Sequence, residues 1–395
     1  MTDKNNDLAP SKPPIWNDPK YRALFFQIIL VLGLIAFFVS IVQNTLSNME
    51  SRGISTGFAF MSEKAGFDIL QSLIPFSSDS TYGRTFVVGL LNTVLITVLG
   101  VICATILGFI VGVSRLSKNW LISKIATVYI ETFRNIPLLI QIFFWYFVVL
   151  RAMPSARNSY SLLDSFFLNV RGLYVPGPVP ESGFMFTTIA FFVGIIAAYI
   201  MKKWANKRQE ATGQQFPVFI VSLLLIFLLP LIVFLLSGSP LNWDIPKLSG
   251  FNFQGGISVI PELFALLLAL TIYTAAFIAE IVRSGINAVS HGQSEAALSV
   301  GLTPGQNLRL VVIPQAMRVI IPPLTSQYLN LAKNSSLATA IGYPDIVAVF
   351  MGTTLNQTGQ AVEIIAMTMA VYLTLSLTIS VFMNWYNAKM ALVER

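Results

Sequence analysis

The sequence predicts an all-α membrane protein, a polytopic bundle of about eight transmembrane helices. Of its 395 residues, 55% are hydrophobic and only 11% are charged, whereas about 25% of the residues in a typical soluble protein are charged. Apolar runs of roughly 20 residues, the length that crosses a hydrocarbon core, recur along the chain. These runs lack the alternation of a membrane β-barrel strand, so helices are the predicted spanning structure.

Eight spans are predicted, one for each apolar run. The first follows a polar N-terminal segment and is too long for a signal-peptide core, so we expect the chain to keep it. Gly108 and Gly112 in the second span permit close helix packing within the core. Pro322, Pro323 and Lys333 interrupt the seventh. The predicted spans are 24–42, 86–113, 125–150, 184–201, 216–236, 261–286, 320–341 and 362–385.

The distribution of basic residues predicts the orientation. If both termini are cytoplasmic, sixteen Lys and Arg residues fall in inside segments and seven in outside segments. Because Lys and Arg concentrate on the cytoplasmic side, both termini are predicted to lie there. The outside connections are rich in Gly, Pro and Ser, and residues 174–183 are expected to form an extended, solvated connector.

A polar stretch, HGQSEAALSVGLTPGQNLRLVVIPQA, separates the sixth and seventh spans. Ser290 and Gln293 have the spacing of a capping box and Gly301 is a helix stop, so a short helix is predicted between them. The pair Thr303–Pro304 repeats the start signal, and Pro314 is predicted to end a second short helix. The stretch therefore predicts two short helices joined by a sharp turn on the cytoplasmic side.

The first of these helices offers a docking surface. Ala296 and Ala297 would let a partner approach closely, and Glu295 adds a charge at one end of that surface. The residues alone leave a second interpretation open, in which the segment is a connector at the membrane surface without a partner.

The stretch resembles the EAA loop of the integral membrane subunits of ATP-binding-cassette (ABC) importers. Its GQxEAA and PQAxR patterns are similar to those of the polar amino-acid uptake permeases, and ETFRNIPLLIQIFFWYF resembles their ExxRxxPLLxQ segment. RGISTGFAF and the additional spans resemble the general L-amino-acid permease subgroup. The resemblance implies an ATPase-coupling loop, 290–318, that contains Gly292, Gln293, Glu295, Ala296, Ala297, Gly301 and Pro314.

The same resemblance implies a division of the chain. A five-span permease core would comprise residues 85–150 and 259–395. Residues 1–84 would contribute a cytoplasmic N-terminus, the first span and a periplasmic loop. Residues 151–258 would be an insertion with two additional spans and periplasmic loops.

The implied function is transport, with the chain as a subunit of an ATP-driven amino-acid importer in the bacterial inner membrane rather than an enzyme. No GxxxxGK[ST] phosphate loop occurs in the sequence, so no cofactor is expected in this chain, and ATP and Mg²⁺ would bind to a partner. No metal-ligand cluster and no basic, aromatic-rich patch for nucleic acid is found. The implied partners are a cytoplasmic ABC ATPase dimer, a second permease subunit that is a homologous sister chain, a periplasmic amino-acid-binding protein, an L-amino-acid substrate and the lipid bilayer.

Ionisable residues at membrane depth are candidates for the substrate path, because such groups are costly in lipid and face polar cavities or one another. A zwitterionic amino acid needs a cation for its carboxylate and oxygen acceptors for its ammonium group. For two Glu–Arg pairs with a spacing of three residues, a structural ion pair is the other open interpretation. The seventh span ends in polar residues, where transporters expose backbone to substrate. The candidates are Glu131, Arg134, Gln141, Glu280, Arg283, Lys333, Asn334, Ser335 and Ser336.

An ion-gradient-driven secondary amino-acid transporter or channel is the alternative function. Such proteins carry internal half-repeats and a set of acidic residues within their spans. Neither pattern is found in this sequence.

Overall fold

The structure is a computed structural model that describes residues 19–390 except 52, 54 and 55. The basic residues Lys4, Lys12, Arg52 and Arg395, which enter the orientation prediction, lie outside the described residues. Within the described part, seven helices are long and apolar enough to cross a membrane, and two helices joined at a bend make an eighth span if they are counted together. The prediction of about eight spans is confirmed.

The helices follow the predicted order and extend beyond most of the predicted boundaries. Segments with π-helical backbone adjoin several of them, at Phe144–Leu150, Leu224–Leu228, Leu308–Val312 and Val347–Thr354. The α-helices are α1 (Pro19–Ser51), α2 (Tyr82–Arg115), α3 (Trp120–Asn135), α4 (Leu138–Phe143), α5 (Phe184–Thr212), α6 (Val218–Leu223), α7 (Leu229–Leu236), α8 (Pro261–Asn287), α9 (His291–Ser299), α10 (Pro304–Asn307), α11 (Ile313–Asn334), α12 (Leu355–Thr358) and α13 (Ala361–Met390).

The third predicted span, 125–150, is not one straight helix. α3 meets α4 and its π-helical extension at an angle of 106°. Pro137 explains the break, because it has no N–H to donate and disfavours a helical conformation in the residue before it. Ile136 is accordingly extended, with φ −99° and ψ 127°.

The core is built around α2 and α8, which share the most extensive helix contact. A Cβ atom at Gly108 would lie 2.6 Å from the Cβ atom of Ile278, and one at Gly112 would lie 2.7 Å from the carbonyl oxygen of Ala279. The two glycines therefore let the helix backbones approach closely, as predicted. α3 and α11 pack against α8, and α13 packs against α11.

Between α11 and α13 the chain forms a compact connection. A 3₁₀ segment, Ser335–Ile341, ends at Gly342, which has φ +78°. The π-helical segment Val347–Thr354 and α12 follow, and Gly359 with φ +69° turns the chain into α13. Glycine suits both turns because a left-handed backbone brings it no Cβ clash.

Outside the spans, short β-strands add to the helical bundle that the sequence predicts. Residues 160–259 contain β1 (Tyr160–Leu162), β2 (Phe166–Asn169), β3 (Gly172–Val175), β4 (Gly177–Pro180), β5 (Leu241–Asp244), β6 (Lys247–Ser249), β7 (Asn252–Gln254) and β8 (Ile257–Val259). They form an antiparallel sheet in the order β1-β2-β3-β8 and the pairs β4–β5 and β6–β7. The predicted extended connector, 174–183, is thus partly strand. Pairing across some 80 residues joins β3 to β8, and short-range sequence patterns do not reveal such pairing.

Candidate functional site

The polar stretch after α8 folds into the first predicted short helix, α9. Its start differs from the prediction, because the Ser290 side chain makes no capping hydrogen bond and only its carbonyl accepts the Gln293 N–H, at 3.0 Å. Its end follows the prediction. Gly301 has φ +87°, and the Gly301 and Leu302 N–H groups donate to carbonyls of the last helical turn, which satisfies acceptors that a helix end leaves free.

The second start signal forms a full capping box. Thr303 Oγ1 accepts the Gln306 N–H at 3.4 Å, and the Gln306 side chain accepts the Thr303 N–H at 2.9 Å. The sequence predicted that the helix that begins here ends at Pro314, and this prediction is wrong. It continues through the π-helical segment into α11. The wider π turn just before Pro314 accommodates a residue that has no N–H to donate.

The stretch is therefore an elbow between two long helices, with α9 on its outside. Gly292, Gln293, Glu295 and Ala296 are exposed, whereas Ala297 is buried. The expectation that both alanines present a docking surface holds for Ala296 only, because Ala297 faces inward where α9 packs against the second helical segment.

Three of the charged candidates, Glu131, Glu280 and Arg283, form one ionic cluster with Arg115 of α2. Glu280 pairs with Arg283 at 2.5 Å and with Arg115, the last residue of α2. Arg115 also lies 3.5 Å from Glu131. The predicted Glu280–Arg283 pair is therefore present, and Arg115, which the sequence analysis did not single out, connects the three helices.

The predicted Glu131–Arg134 pair does not form. Arg134 instead lies over the ring of Phe277 on α8, 5.3 Å from its centroid. Gln141 acts on the break in the third span, since its side-chain amide donates to the carbonyls of Phe133 at 3.0 Å and Ile136 at 2.9 Å. These carbonyls lie at the end of α3, where helix acceptors lack partners.

The polar residues at the end of α11 lie elsewhere. Lys333 is exposed and makes no ion pair among the described residues, and Asn334 is half-buried. The Ser335 and Ser336 hydroxyls donate to the carbonyls of Ala332 and Lys333, both at 2.8 Å. Of this group, the Lys333 ammonium is the one most available to a ligand.

The structure does not bring the two groups of candidates together. Leu331, two residues before Lys333, packs where a Cβ atom at Gly100 of α2 would lie, whereas the ionic cluster is at Arg115. Fifteen residues of helix separate those two levels, roughly 22 Å.

A buried polar group that sequence reasoning missed lies in the connection between α11 and α13. Asp345 has no exposed surface, and its Oδ1 accepts the Ala348 N–H at 2.8 Å while Tyr372 lies at 3.4 Å from Oδ2. Thr93 of α2 accepts the neighbouring N–H of Ile346 at 3.0 Å. Burial raises the pKa of Asp345 to about 7. An Asp before an apolar run is a helix-start signal and was available in GYPDIVAVF.

Comparisons with known proteins identify relatives that match the whole chain. A family model for the binding-protein-dependent transport system inner membrane component matches residues 190–392. The chain is 53% identical over 401 residues to the general L-amino acid transport system permease protein AapQ of Rhizobium johnstonii, covering 100% of both chains. It is 53% identical to the putative amino-acid ABC transporter permease protein YhdX of Escherichia coli over 96% of each chain.

A further relative is the glutamate/glutamine/aspartate/asparagine transport system permease protein BztB of Rhodobacter capsulatus, 42% identical over 96% of each chain. A solved structure of an amino acid ABC transporter covers 78% of this chain and 95% of its own, with 21% identity and a TM-score of 0.45. Because relatives of this similarity match the whole chain, it belongs to the family of binding-protein-dependent transport system inner membrane components and is a permease subunit that spans the membrane several times.

Proposed function

We propose that this chain is the permease of an ATP-driven importer of L-amino acids. It would form the translocation path with a second permease subunit, a homologous sister chain, and receive mechanical work from a cytoplasmic ATPase dimer. Two of its relatives carry names that refer to L-amino acids and to amino-acid ABC transport. The observation that carries the proposal is the elbow of α9 and the following helix, which leaves α9 exposed at one end of the core.

The elbow is suited to transmit force because both of its ends are continuous with core helices. α8 leads into it after Asn287, and the helix that starts at Pro304 leads out into α11. Gln315 on α11 donates to Gln293 on α9 at 3.3 Å. α8 and α11 also pack tightly, since a Cβ atom at Gly285 would overlap the Ile320 side chain. A displacement of α9 would therefore move both helices.

The chain needs a partner for the energy of this step. Its sequence has no phosphate loop, so ATP and Mg²⁺ would bind to the ATPase. Shifting a two-state equilibrium from 1:99 to 99:1 takes a differential binding free energy of about 5.5 kcal/mol. ATP binding between two docked ATPase subunits would supply that difference through the exposed face formed by Gly292, Gln293, Glu295 and Ala296.

Substrate would pass the exposed Lys333 ammonium, which is suited to an α-carboxylate. Glu131, Glu280 and Arg283 form ion pairs within the ionic cluster around Arg115. They would therefore hold helices together rather than bind substrate. Lys333→Ala is expected to weaken transport of all amino acids alike, since every one carries the carboxylate. Selective loss of one side-chain class would contradict this role.

The orientation follows from the same proposal. The elbow would face the cytoplasm of a bacterial inner membrane, with both termini on that side. The β-strands of the insertion would then lie in the periplasm, where an amino-acid-binding protein would deliver substrate.

The test combines co-purification with uptake. Tagged permease is isolated in mild detergent, its bound proteins are identified, and ATP-dependent uptake of labelled amino acids is measured in vesicles with the whole assembly. Glu295→Lys is expected to lose a stoichiometric ATPase but to retain normal membrane insertion. Lys389→Glu, a charge reversal at the exposed end of α13, is the matched control and should retain it.

Two results would contradict the proposal. One is a Glu295→Lys chain that retains its ATPase at the wild-type yield. The other is uptake that needs an ion gradient and not ATP, which would support the alternative of a secondary transporter.

A further inference from the structure

The end of α8 opposite the elbow forms one wall of a cavity of about 410 Å³. α8 is 27 residues long, so about 40 Å of helix separates this cavity from the elbow. Three parts of the chain line it. Tyr146, Leu150 and Arg151 come from the π-helical end of the third span, Val170 and Arg171 from the turn between β2 and β3, and Pro261 and Glu262 from the start of α8.

Strand pairing fixes the turn between β2 and β3 beside the start of α8. In the antiparallel pair β3–β8, Leu173 is opposite Val259, so the chain positions of Arg171 and Pro261, two residues further out, are adjacent. The buried side chain of Asn169 accepts a hydrogen bond from the Arg171 N–H at 2.8 Å. Gly172, with φ +124°, packs so closely against Val259 that a Cβ atom would not fit. The insertion thus places a guanidinium next to the core.

The cavity brings two cationic side chains and one carboxylate together, an arrangement that suits a zwitterion. Arg151, Arg171 and Glu262 all line it, yet within the described part of the chain none of the three belongs to an ion pair. Among the described residues, Glu262 accepts one side-chain hydrogen bond, from the Tyr146 hydroxyl at 2.8 Å, whereas a carboxylate can accept about four.

We propose that this cavity is an outer subsite for a free L-amino acid, with the α-carboxylate on Arg151 and Arg171 and the α-ammonium on Glu262. This inference rests on the proposed function for the class of substrate. A guanidinium fork matches a carboxylate in two parallel hydrogen bonds. The volume lies within the roughly 300–1,000 Å³ of small-molecule sites. Of the remaining wall residues, Leu150, Val170 and Pro261 have no polar side-chain group, and the Tyr146 hydroxyl already donates to Glu262. The subsite would therefore accept amino acids of many kinds.

Cysteine protection tests the subsite without depending on transport. Val170, half-buried in the cavity wall, is changed to Cys in a Cys103→Ser background, which removes the one native cysteine. The purified assembly with its ATPase, without binding protein or nucleotide, is labelled with a charged maleimide in the presence and absence of L-alanine. Saturating L-alanine is expected to slow labelling at least fivefold. Propionate and ethylamine, which each carry one of the two charged groups, should not.

Matched variants separate direct binding from a distant effect. Arg171→Gln or Glu262→Gln should abolish the protection, and Arg157→Gln should not, because Arg157 lies in the same insertion but does not line the cavity. Ser161→Cys on the exposed β1 strand should label at the same rate with and without L-alanine. Unchanged melting temperatures verify that each variant is folded.

The outcomes distinguish this inference from the proposed function. If the wild-type assembly takes up amino acids with ATP but L-alanine leaves the labelling of the cavity cysteine unchanged, the subsite is wrong and the importer stands. If protection is seen in the Arg171→Gln chain as well, the carboxylate is not held there and the subsite is also wrong. If ATP-driven uptake is absent from the wild-type assembly, the proposed function itself fails.

Discussion

Gly108 and Gly112 of α2 determine how closely this helix can approach α8. The stability of Gly108→Ala tests how closely the two helices are packed. The new Cβ atom would lie 2.6 Å from both Cβ and Cγ2 of Ile278 and 3.1 Å from the Ala275 carbonyl oxygen. Carbon atoms in contact prefer about 3.5–4.0 Å. Because the backbone fixes the position of the Ile278 Cβ atom, no side-chain rotation relieves the overlap, and the two helices must separate by about 1 Å.

Overpacking of this kind costs about 1–3 kcal/mol, and the better helix propensity of alanine returns at most about 1 kcal/mol. We therefore expect a lower melting temperature for Gly108→Ala than for the wild type. Thermal unfolding of the purified permease in detergent is monitored by tryptophan fluorescence. Gly33→Ala in α1 is the control, since no atom beyond the adjoining residues and the local helix backbone lies within 4 Å of the new Cβ. If Gly108→Ala melts at or above the temperature of both wild type and control, the α2–α8 interface is not close-packed as described.

Three further predictions concern buried or partly buried polar groups. Glu280→Ala should lower the free energy of unfolding by about 1.5–3 kcal/mol, since it leaves two partly buried guanidiniums without their carboxylate. The Glu131 side chain is 56% exposed, so Glu131→Ala should cost under about 1 kcal/mol. Equal losses of stability in thermal melts would contradict this ranking. Gln141→Leu should lower the melting temperature by exposing two carbonyls without donors, at about 1–3 kcal/mol each, and a neutral result would mean that water replaces the amide. Burial raises the pKa of Asp345 to about 7, above its value in the unfolded chain. The native state therefore binds the proton more tightly, and the free energy of unfolding should fall as the pH rises from about 4 to 7. Asp345→Asn should remove that slope, and a pH profile of the melting temperature that is the same in the variant and the wild type would refute this prediction.

Several features of this molecule could be predicted from local sequence. The spans follow from apolar runs, because a hydrocarbon core admits only helices of a certain length. The turn of the elbow follows from Gly301 and from the Thr303 capping box, which act within a few residues. The close packing at Gly108 and Gly112 follows from the absence of a side chain.

Other predictions failed because they depend on the surroundings. Pro314 was expected to stop a helix, but a π turn ahead of it removes the conflict. Glu131 and Arg134 have the spacing of an ion pair, yet each side chain found a partner on another helix, Arg115 on α2 and Phe277 on α8. Ala297 resembles Ala296 in sequence and differs from it only in the direction it faces.

By itself, the sequence determined the class, the number and order of the spans and the position of the elbow, because hydrophobic length and helix-stop signals are local properties. Only the tertiary structure decided which charged groups meet and which remain free. It joined the insertion to the core by pairing β3 with β8, and so brought Arg171 beside Glu262 across some 90 residues. Contacts between distant segments depend on the packing of the whole chain, and that information is not contained in the spacing of residues along it.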